Sequence, residues 1–447
     1  MRWRYFSAIP QSGTTRLLAL PTAKGWSLPC NDAGFHFWQE VHREHRLLQD
    51  ELALDVYTLK LVWADYSAEK GRALYLYART PAPQDWSLPP GAAWVEAAEL
   101  AEALDEPDLA AGVTRWLRWS QETPASEPLP WSDPAWYGHS AAWTGARLDE
   151  AGLEPTGPAE QLTSRPRGTV FKTPVAGGAV YFKAVPRFFA HEPALTEWLG
   201  RRYPEAVAPV LASDPRRLCF LAKEIAGERL ADTRDLACWE EALRRYARLQ
   251  IDLAAHGARL RDLGCPRAEL PAYAEAARRL VATESWGVSK ADFAALPEKL
   301  PRLERLCRDL HESPLPLSLD HGDFSPWQIL VGDAGPLLID WSDSALAHPF
   351  FSLSTFYEAL EYLRGDGPPP VKDMLADLDG VWQRLCGAYL EPWKDFAPMP
   401  ELRRHLETAS ELAPLHAALK FARFLEYGVD TQWDMDGAVP MYLKKLL

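Results

Sequence analysis

The chain is poor in cysteine, with six in 447 residues and none nearer than 19 positions to the next. No Cys-x-x-Cys pair exists and no histidine stands at ligand spacing from a cysteine, which excludes a zinc ribbon and a dithiol redox site. Cys30, Cys219, Cys238, Cys265, Cys307 and Cys386 read as buried free thiols, with three disulfides as the alternative. Long apolar runs are also missing. The longest stretch without Asp, Glu, Lys or Arg covers 344–357, shorter than the ~18 apolar residues of a membrane span. The segment after Met1-Arg2-Trp3-Arg4 is too polar for a signal-peptide core, so the expectation is a cytoplasmic protein without membrane contact. Nor is there an excess of positive charge. Lys and Arg number 48 against 62 Asp and Glu, a net charge of −14, which argues against nucleic acid or an anionic membrane as the main partner. The 27 Gly and 38 Pro fall well below the ~25–30% share of low-complexity chains, so wholesale disorder is excluded.

What is present is an ordinary globular composition, 47% hydrophobic and 25% charged, over a length that predicts two or three cores. Pro124, Pro128, Pro130 and Pro134 interrupt any helix between 122 and 136, which reads as a linker. Before it, Leu17–Leu20, Val56–Ala64 and Ala73–Ala78 read as strands. Trp38, Val41, His45, Leu48 and Leu52 recur at helical steps, and Asp108–Trp119 reads as a closing helix. Residues 1–121 are thus predicted to be a small α/β domain. After the linker, Gly168–Val175 and Ala179–Val185 flank Ala176-Gly177-Gly178, a hairpin turn in which glycine reaches positive φ without penalty. A helix at Glu192–Arg201 and a strand at Leu218–Glu224 follow. Beyond Gly227, Leu236, Trp239, Leu243, Tyr246, Gln250 and Leu253 keep a 3,4 rhythm. Further helices are predicted near 270–283, 290–311, 350–363, 371–390 and 401–425, with Gln328–Val331 and Pro336–Asp340 as the only strands. The predicted class is α+β, with a small antiparallel sheet lobe over 137–227 and a mostly helical lobe over 228–447.

The most specific signal lies on that last hairpin: Asp320-His321-Gly322-Asp323-Phe324-Ser325-Pro326-Trp327-Gln328-Ile329-Leu330-Val331, then Leu337-Leu338-Ile339-Asp340-Trp341. Two carboxylates flank a short hairpin. Phosphoryl transfer to a hydroxyl needs one carboxylate to orient and deprotonate the acceptor and another to hold the magnesium that bridges nucleotide phosphates. An amide five residues after the first carboxylate is the kinase spacing for a second metal ligand, and Asp323 and Gln328 have it.

These motifs resemble the aminoglycoside phosphotransferase and choline kinase superfamily, whose pattern is His-Gly-Asp-x-x-x-x-Asn followed by an apolar strand ending in Ile-Asp-(Trp/Phe). The resemblance spans about 160–425 and implies a protein-kinase-like two-lobed fold using ATP and magnesium. It makes Asp323 the catalytic base, Asp340 the metal carboxylate, Gln328 a further metal ligand and His321 the brace of the catalytic loop. It places Lys183, within Val180-Tyr181-Phe182-Lys183-Ala184-Val185, on the nucleotide phosphates. Glu192 is its glutamate partner, six before Trp198-Leu199, with Glu197 as the alternative; Pro193 suits a first helical turn. Leu221-Ala222-Lys223-Glu224-Ile225-Ala226-Gly227 resembles the hinge, giving Glu224 and Ala226 to the adenine. Arg165-Pro166-Arg167-Gly168 stands where a phosphate lid would, without a glycine-rich fingerprint.

The chain departs from the family pattern in two places. Gln328 replaces asparagine, with its amide oxygen one methylene further out. The family's Gly-x-Pro-x-x-Asp-Leu becomes His348-Pro349-Phe350-Phe351-Ser352-Leu353 at its later positions, so a supporting hydrogen bond is either replaced or lost; Asp343 is a candidate for support or a solvated turn residue. The N-terminal block resembles a degenerate Nudix domain. Gly25-Trp26-Ser27-Leu28-Pro29 resembles the strand before the box, and Arg46, Leu48, Asp50, Glu51 and Leu54 fall at box positions. Asp32, Trp38, Leu47 and Ala53 stand where box residues are missing, which implies a non-catalytic module. The implied function is an ATP- and magnesium-dependent transfer to a small-molecule hydroxyl. Glu358, Glu361, Asp366, Asp430, Asp434 and Asp436 would favour a cationic acceptor, or simply form a solvated face, and the 19 tryptophans would allow an aromatic cage. A nucleotide-binding pseudokinase is the alternative; Nudix-type hydrolysis lacks its glutamates.

Overall fold

The computed structural model describes every residue except 33, 123–128, 284–285 and 428–436. Asp430, Asp434 and Asp436 therefore lie outside the described residues, as does part of the proline-rich segment. The described chain divides into two compact units, Met1–Pro186 and Arg187–Tyr427 with 437–447.

The first unit contains β1 (Arg2–Ala8), β2 (Arg16–Pro21), β3 (Trp26–Ser27), β4 (Cys30–Asn31), α1 (His42–Leu52), β5 (Thr58–Ser67), β6 (Arg72–Arg79), β7 (Ala93–Glu96), α2 (Ala97–Ala103), α3 (Leu109–Gln121), α4 (Pro134–Glu150), β8 (Glu160–Arg165), β9 (Gly168–Val175) and β10 (Gly178–Ala184). A mixed sheet runs β4-β1-β6-β5, with β1 parallel to β6, and β2 is flanked by β3 and β7. Trp38 precedes α1 rather than belonging to it, and Val41 is its N-cap. Six elements escape the sequence pattern: β1, β4, β7, β8, α2 and α4. The last begins at a proline that reads as a breaker, yet Asp133 caps the helix by accepting from the Ala135 N–H, and Pro134 sits in the first turn, where no N–H is needed. Strand β9 pairs with both β8 and β10, and Lys183 lies opposite Val170 in that register.

A buried polar clasp ties β8 to β5. Gln161 donates to the Thr58 carbonyl at 3.1 Å and accepts from the Thr58 N–H at 2.7 Å. Tyr137 of α4 and Ser164 donate to the same carbonyl at 2.8 and 3.1 Å. Thr58 and Gln161 are wholly buried. Asp50 and Glu51, the two remaining acidic residues of the Nudix-like stretch, are exposed on α1, and Arg46 pairs with Glu160.

The second unit contains α5 (Glu192–Arg202), β11 (Val210–Asp214), β12 (Cys219–Lys223), β13 (Glu228–Arg229), α6 (Leu236–Ala254), α7 (Gly257–Asp262), α8 (Leu270–Ala282), α9 (Lys290–His311), β14 (Ser318–Asp320), β15 (Ile329–Gly332), β16 (Gly335–Leu338), β17 (Ala345–Ala347), α10 (Ser352–Asp366), α11 (Pro369–Met374), α12 (Leu378–Leu390), α13 (Met399–Glu426) and α14 (Ala438–Lys444). Its helices enclose one apolar core, with Trp239, Leu243, Phe324, Trp341, Phe356 and Trp393 fully buried. The expectation of only two strands in this region is corrected. Strands β14 and β17 pair antiparallel, bracketing residues 321–344, and β13 pairs with β15. Gln328 closes a 3-10 turn at Pro326–Gln328 rather than opening a strand, and β16 stops at Leu338, so Asp340 is a loop residue. The class is α+β, as predicted, and all six cysteines are free. Among the described residues no helix is long and apolar enough to cross a membrane.

Candidate active site

The loop from Asp320 to Gln328 leaves β14 and turns on Gly322. That residue has φ 74°, and a Cβ there would stand 2.1 Å from the Asp343 carbonyl oxygen. Only glycine permits this approach, so the two carboxylate-bearing loops touch backbone to backbone at this point. Lys420 of α13 fastens the junction, donating to the Gly322 carbonyl at 2.7 Å and lying 3.4 Å from the Asp343 carboxylate.

Within the junction, Asp323 and Gln328 meet. The Gln328 side-chain N–H donates to Asp323 Oδ2 at 3.0 Å, which orients the carboxylate. His321 is wholly buried and lies 3.0 Å from the Ile339 carbonyl, one residue before Asp340, through Nε2. Burial holds its pKa below the ordinary histidine value against the pull of Asp323 and Asp340. Asp340 sits at φ 62°, a left-handed conformation rare outside glycine. The Ser342 hydroxyl lies 2.8 Å from Asp340 Oδ1 and 2.7 Å from Glu192 Oε2, so one proton is shared between two carboxylates. Glu192 is wholly buried. Glu197, the alternative, instead accepts from Ser213 at 2.5 Å and pairs with Arg201 at 2.9 Å.

Sequence reasoning missed the layer beneath the loop. Asp320 is buried; its Oδ1 accepts from the Gly322 N–H at 3.3 Å and from Ser352 at 2.5 Å, and its Oδ2 lies 3.0 Å from His416 Nε2. Burial raises the Asp320 pKa, but His416, Ser352 and Lys420 more than reverse this and hold it below the usual carboxylate value. Ser352, which stands where the pattern quoted above has aspartate, gives its hydroxyl to the Asp320 carboxylate from α10. Tyr246 accepts from the His321 N–H at 3.0 Å and stacks on Phe324. Gln250, one turn on, donates to the Leu319 and Pro349 carbonyls at 3.1 and 3.2 Å. A glutamine inside an otherwise apolar helical rhythm was the available signal.

Glu224 and Ala226 are exposed in the loop between β12 and β13. A Cβ at Gly227 would lie 2.2 Å from the Val331 carbonyl oxygen, and one at Gly332 2.8 Å from that of Ala226, so this segment lies tightly along β15. Lys183 is half-buried on β10 of the first unit. Of the acidic residues considered for a cationic acceptor, Glu358 is taken by Lys445 at 2.6 Å and Tyr442 at 3.2 Å, while Glu361 and Asp366 are exposed.

No curated protein matches the chain. Solved structures similar to it include a choline/ethanolamine kinase family protein from Mesorhizobium loti, 18% identical, covering 68% of this chain and 92% of its own with a TM-score of 0.45. A choline kinase from Cryptosporidium parvum Iowa II is 14% identical over 66% and 94% of the two chains, with a TM-score of 0.42. The GDP complex of an aminoglycoside 2'-phosphotransferase is 15% identical over 69% and 97%, with a TM-score of 0.41. Residues 176–388, which carry the hairpin, both loop carboxylates and the strand of Lys183, match the sequence profile of the phosphotransferase enzyme family.

Proposed function

We propose that the protein is a small-molecule phosphotransferase that moves the γ-phosphate of a nucleoside triphosphate to an alcohol, with ATP as the donor expected from the sequence. The observation that carries this reading is the junction of the two loops: Gly322 packs on the Asp343 backbone, Gln328 holds Asp323, and Ser342 links Asp340 to Glu192. In this reading the Asp323 carboxylate orients the acceptor hydroxyl and takes its proton as the acceptor oxygen bonds to the γ-phosphorus. The bond from that phosphorus to the β-bridging oxygen breaks, and the nucleoside diphosphate leaves. Gln328 keeps Asp323 in register. Lys183 is assigned to the α and β phosphates, and the backbone around Glu224 and Ala226 to the adenine.

The donor set suits magnesium, since Asp340 supplies a carboxylate and Gln328, with its N–H committed to Asp323, an amide oxygen, both hard ligands. When bound there, the ion would neutralise phosphate charge and fix the γ-phosphate for in-line attack. The test is nucleotide consumption across a broad panel of hydroxyl acceptors, with Asp323→Asn as control. Transfer by the wild type and none by the variant is expected. Saturating nucleotide with magnesium but no transfer to any acceptor would leave the pseudokinase, and no nucleotide binding would remove both.

A further inference from the structure

The second unit encloses a cavity of about 440 Å³, bordered by Ser342, Asp343 and Ser344 of the Asp340 loop and by α8 and α13. This is the size of a pocket for a small organic molecule. Phe188, Phe189, Leu280, Trp286 and Leu419 give it apolar walls. Lys420 runs from its lining to the Gly322 carbonyl, so a molecule seated in it lies beside the loop that carries Asp323. Neither Glu358 nor Glu361 nor Asp366, considered above for a cationic acceptor, borders it.

Its charges are unevenly matched. Asp343 lies against Lys420 at 3.4 Å, and Glu269 pairs with Arg267. Arg279 pairs with Glu275, outside the lining, at 3.5 Å. Arg423 instead lies with its guanidinium 5.9 Å over the Phe188 ring and makes no ion pair among the described residues, Glu426 one turn away included. Its charge reaches inward, acting on both His191 and Tyr273. A guanidinium steadied on an aromatic face at the rim of an apolar pocket is a fork for a carboxylate or phosphate.

We propose that this cavity seats the acceptor and that the acceptor is an alcohol bearing an anionic group, carboxylate or phosphate, on an apolar or aromatic body. This rests on the phosphotransferase reading above. The body fills the apolar walls, Arg423 takes the anion, and the hydroxyl faces the Asp323 loop, where its oxygen bonds to the γ-phosphorus and its proton passes to Asp323 as the nucleoside diphosphate departs.

The experiment uses the full chain and three alcohols of matched shape: 4-(2-hydroxyethyl)benzoate, 2-(4-methylphenyl)ethanol and 2-[4-(aminomethyl)phenyl]ethanol. Binding is read by calorimetry without nucleotide, and transfer with magnesium and ATP. The benzoate should bind and react at least about tenfold better than the amine. Arg423→Glu should abolish or invert that order, and Arg423→Lys should keep it in weakened form, both variants melting as cooperatively as wild type. A preference for the amine, equal or absent binding of all three, or indifference to Arg423→Glu would overturn the assignment. If some alcohol is still phosphorylated in those cases, the phosphotransferase reading survives. Arg423-dependent binding of the benzoate with no transfer to any alcohol in the wider panel would overturn both.

Discussion

Gly322→Ala is the sharpest test of the loop junction. The new methyl would stand 2.1 Å from the Asp343 carbonyl oxygen, 2.7 Å from its carbon and 2.9 Å from the Asp343 Cβ. Two of those atoms are backbone, and Lys420 holds both loops from behind, so relief requires the Asp340 loop to retreat by roughly 1 Å. A non-glycine residue at φ 74° adds a conformational cost of ~1–2 kcal/mol, and the forced repacking adds ~1–3 kcal/mol. The total is roughly 2–5 kcal/mol, a large share of ordinary domain stability. A 1 Å displacement at a catalytic constellation also costs about 100-fold in turnover. Urea unfolding of the full chain gives the first quantity and acceptor phosphorylation the second. Gly387→Ala is the control, because that glycine lies inside α12 and a methyl added there meets no atom within 4 Å; a gain of ~0.5–1 kcal/mol is expected. If Gly322→Ala stayed within ~0.5 kcal/mol of wild type and kept its turnover, the two loops would not be in the contact described.

Three further outcomes follow from the site. Asp323→Asn should keep nucleotide binding and lose transfer, whereas Asp340→Asn should weaken magnesium-dependent nucleotide binding as well; nucleotide-dependent melting shifts and turnover, measured on both, must separate them. Gln328→Asn should be tolerated or improve turnover and Gln328→Leu should abolish it, because leucine offers neither a bond to Asp323 nor an oxygen for the metal; leucine matching wild type in a magnesium titration would reduce Gln328 to packing. Burial pushes His348 down to about 3 and His191 to about 4. The unfolded chain then binds more protons than the folded one between about pH 6.5 and 4, so stability is complete above pH 6.5 and falls as the pH drops through that window. Melting against pH should show this, and His348→Asn, which keeps an acceptor for the Phe350 N–H, should flatten the slope.

Much of the site was legible because local chemistry is written locally. The 290–311 helix and the Gly168–Val175 strand have the expected bounds, since long periodic segments and glycine turns announce themselves. Asp323, Gln328 and Asp340 could be named as candidates from their spacing along one hairpin. Asp320, Ser352 and His416 were not, because their bonds join positions 32 and 96 residues apart, and nothing in a single sequence pairs them. Strands β14 and β17 are three residues each, too short for any alternation to show, and their pairing is a tertiary event.

The clasp at Thr58 sets how this chain can be cut and how it can vary. Its carbonyl receives three side-chain donors, two of them from β8, the strand that opens the sheet carrying Lys183. A fragment that begins after Gln121 would strand the Gln161 amide, the Ser164 hydroxyl and the Tyr137 phenol in a newly opened surface, at ~1–3 kcal/mol for each that fails to find water. Within the first unit, β5 thus serves as a support for the sheet that follows. Because Gln161 bonds residue 58 only through that residue's backbone, its identity should hold whatever side chain stands there, and a copy altered at Gln161 alone would arrive already weakened.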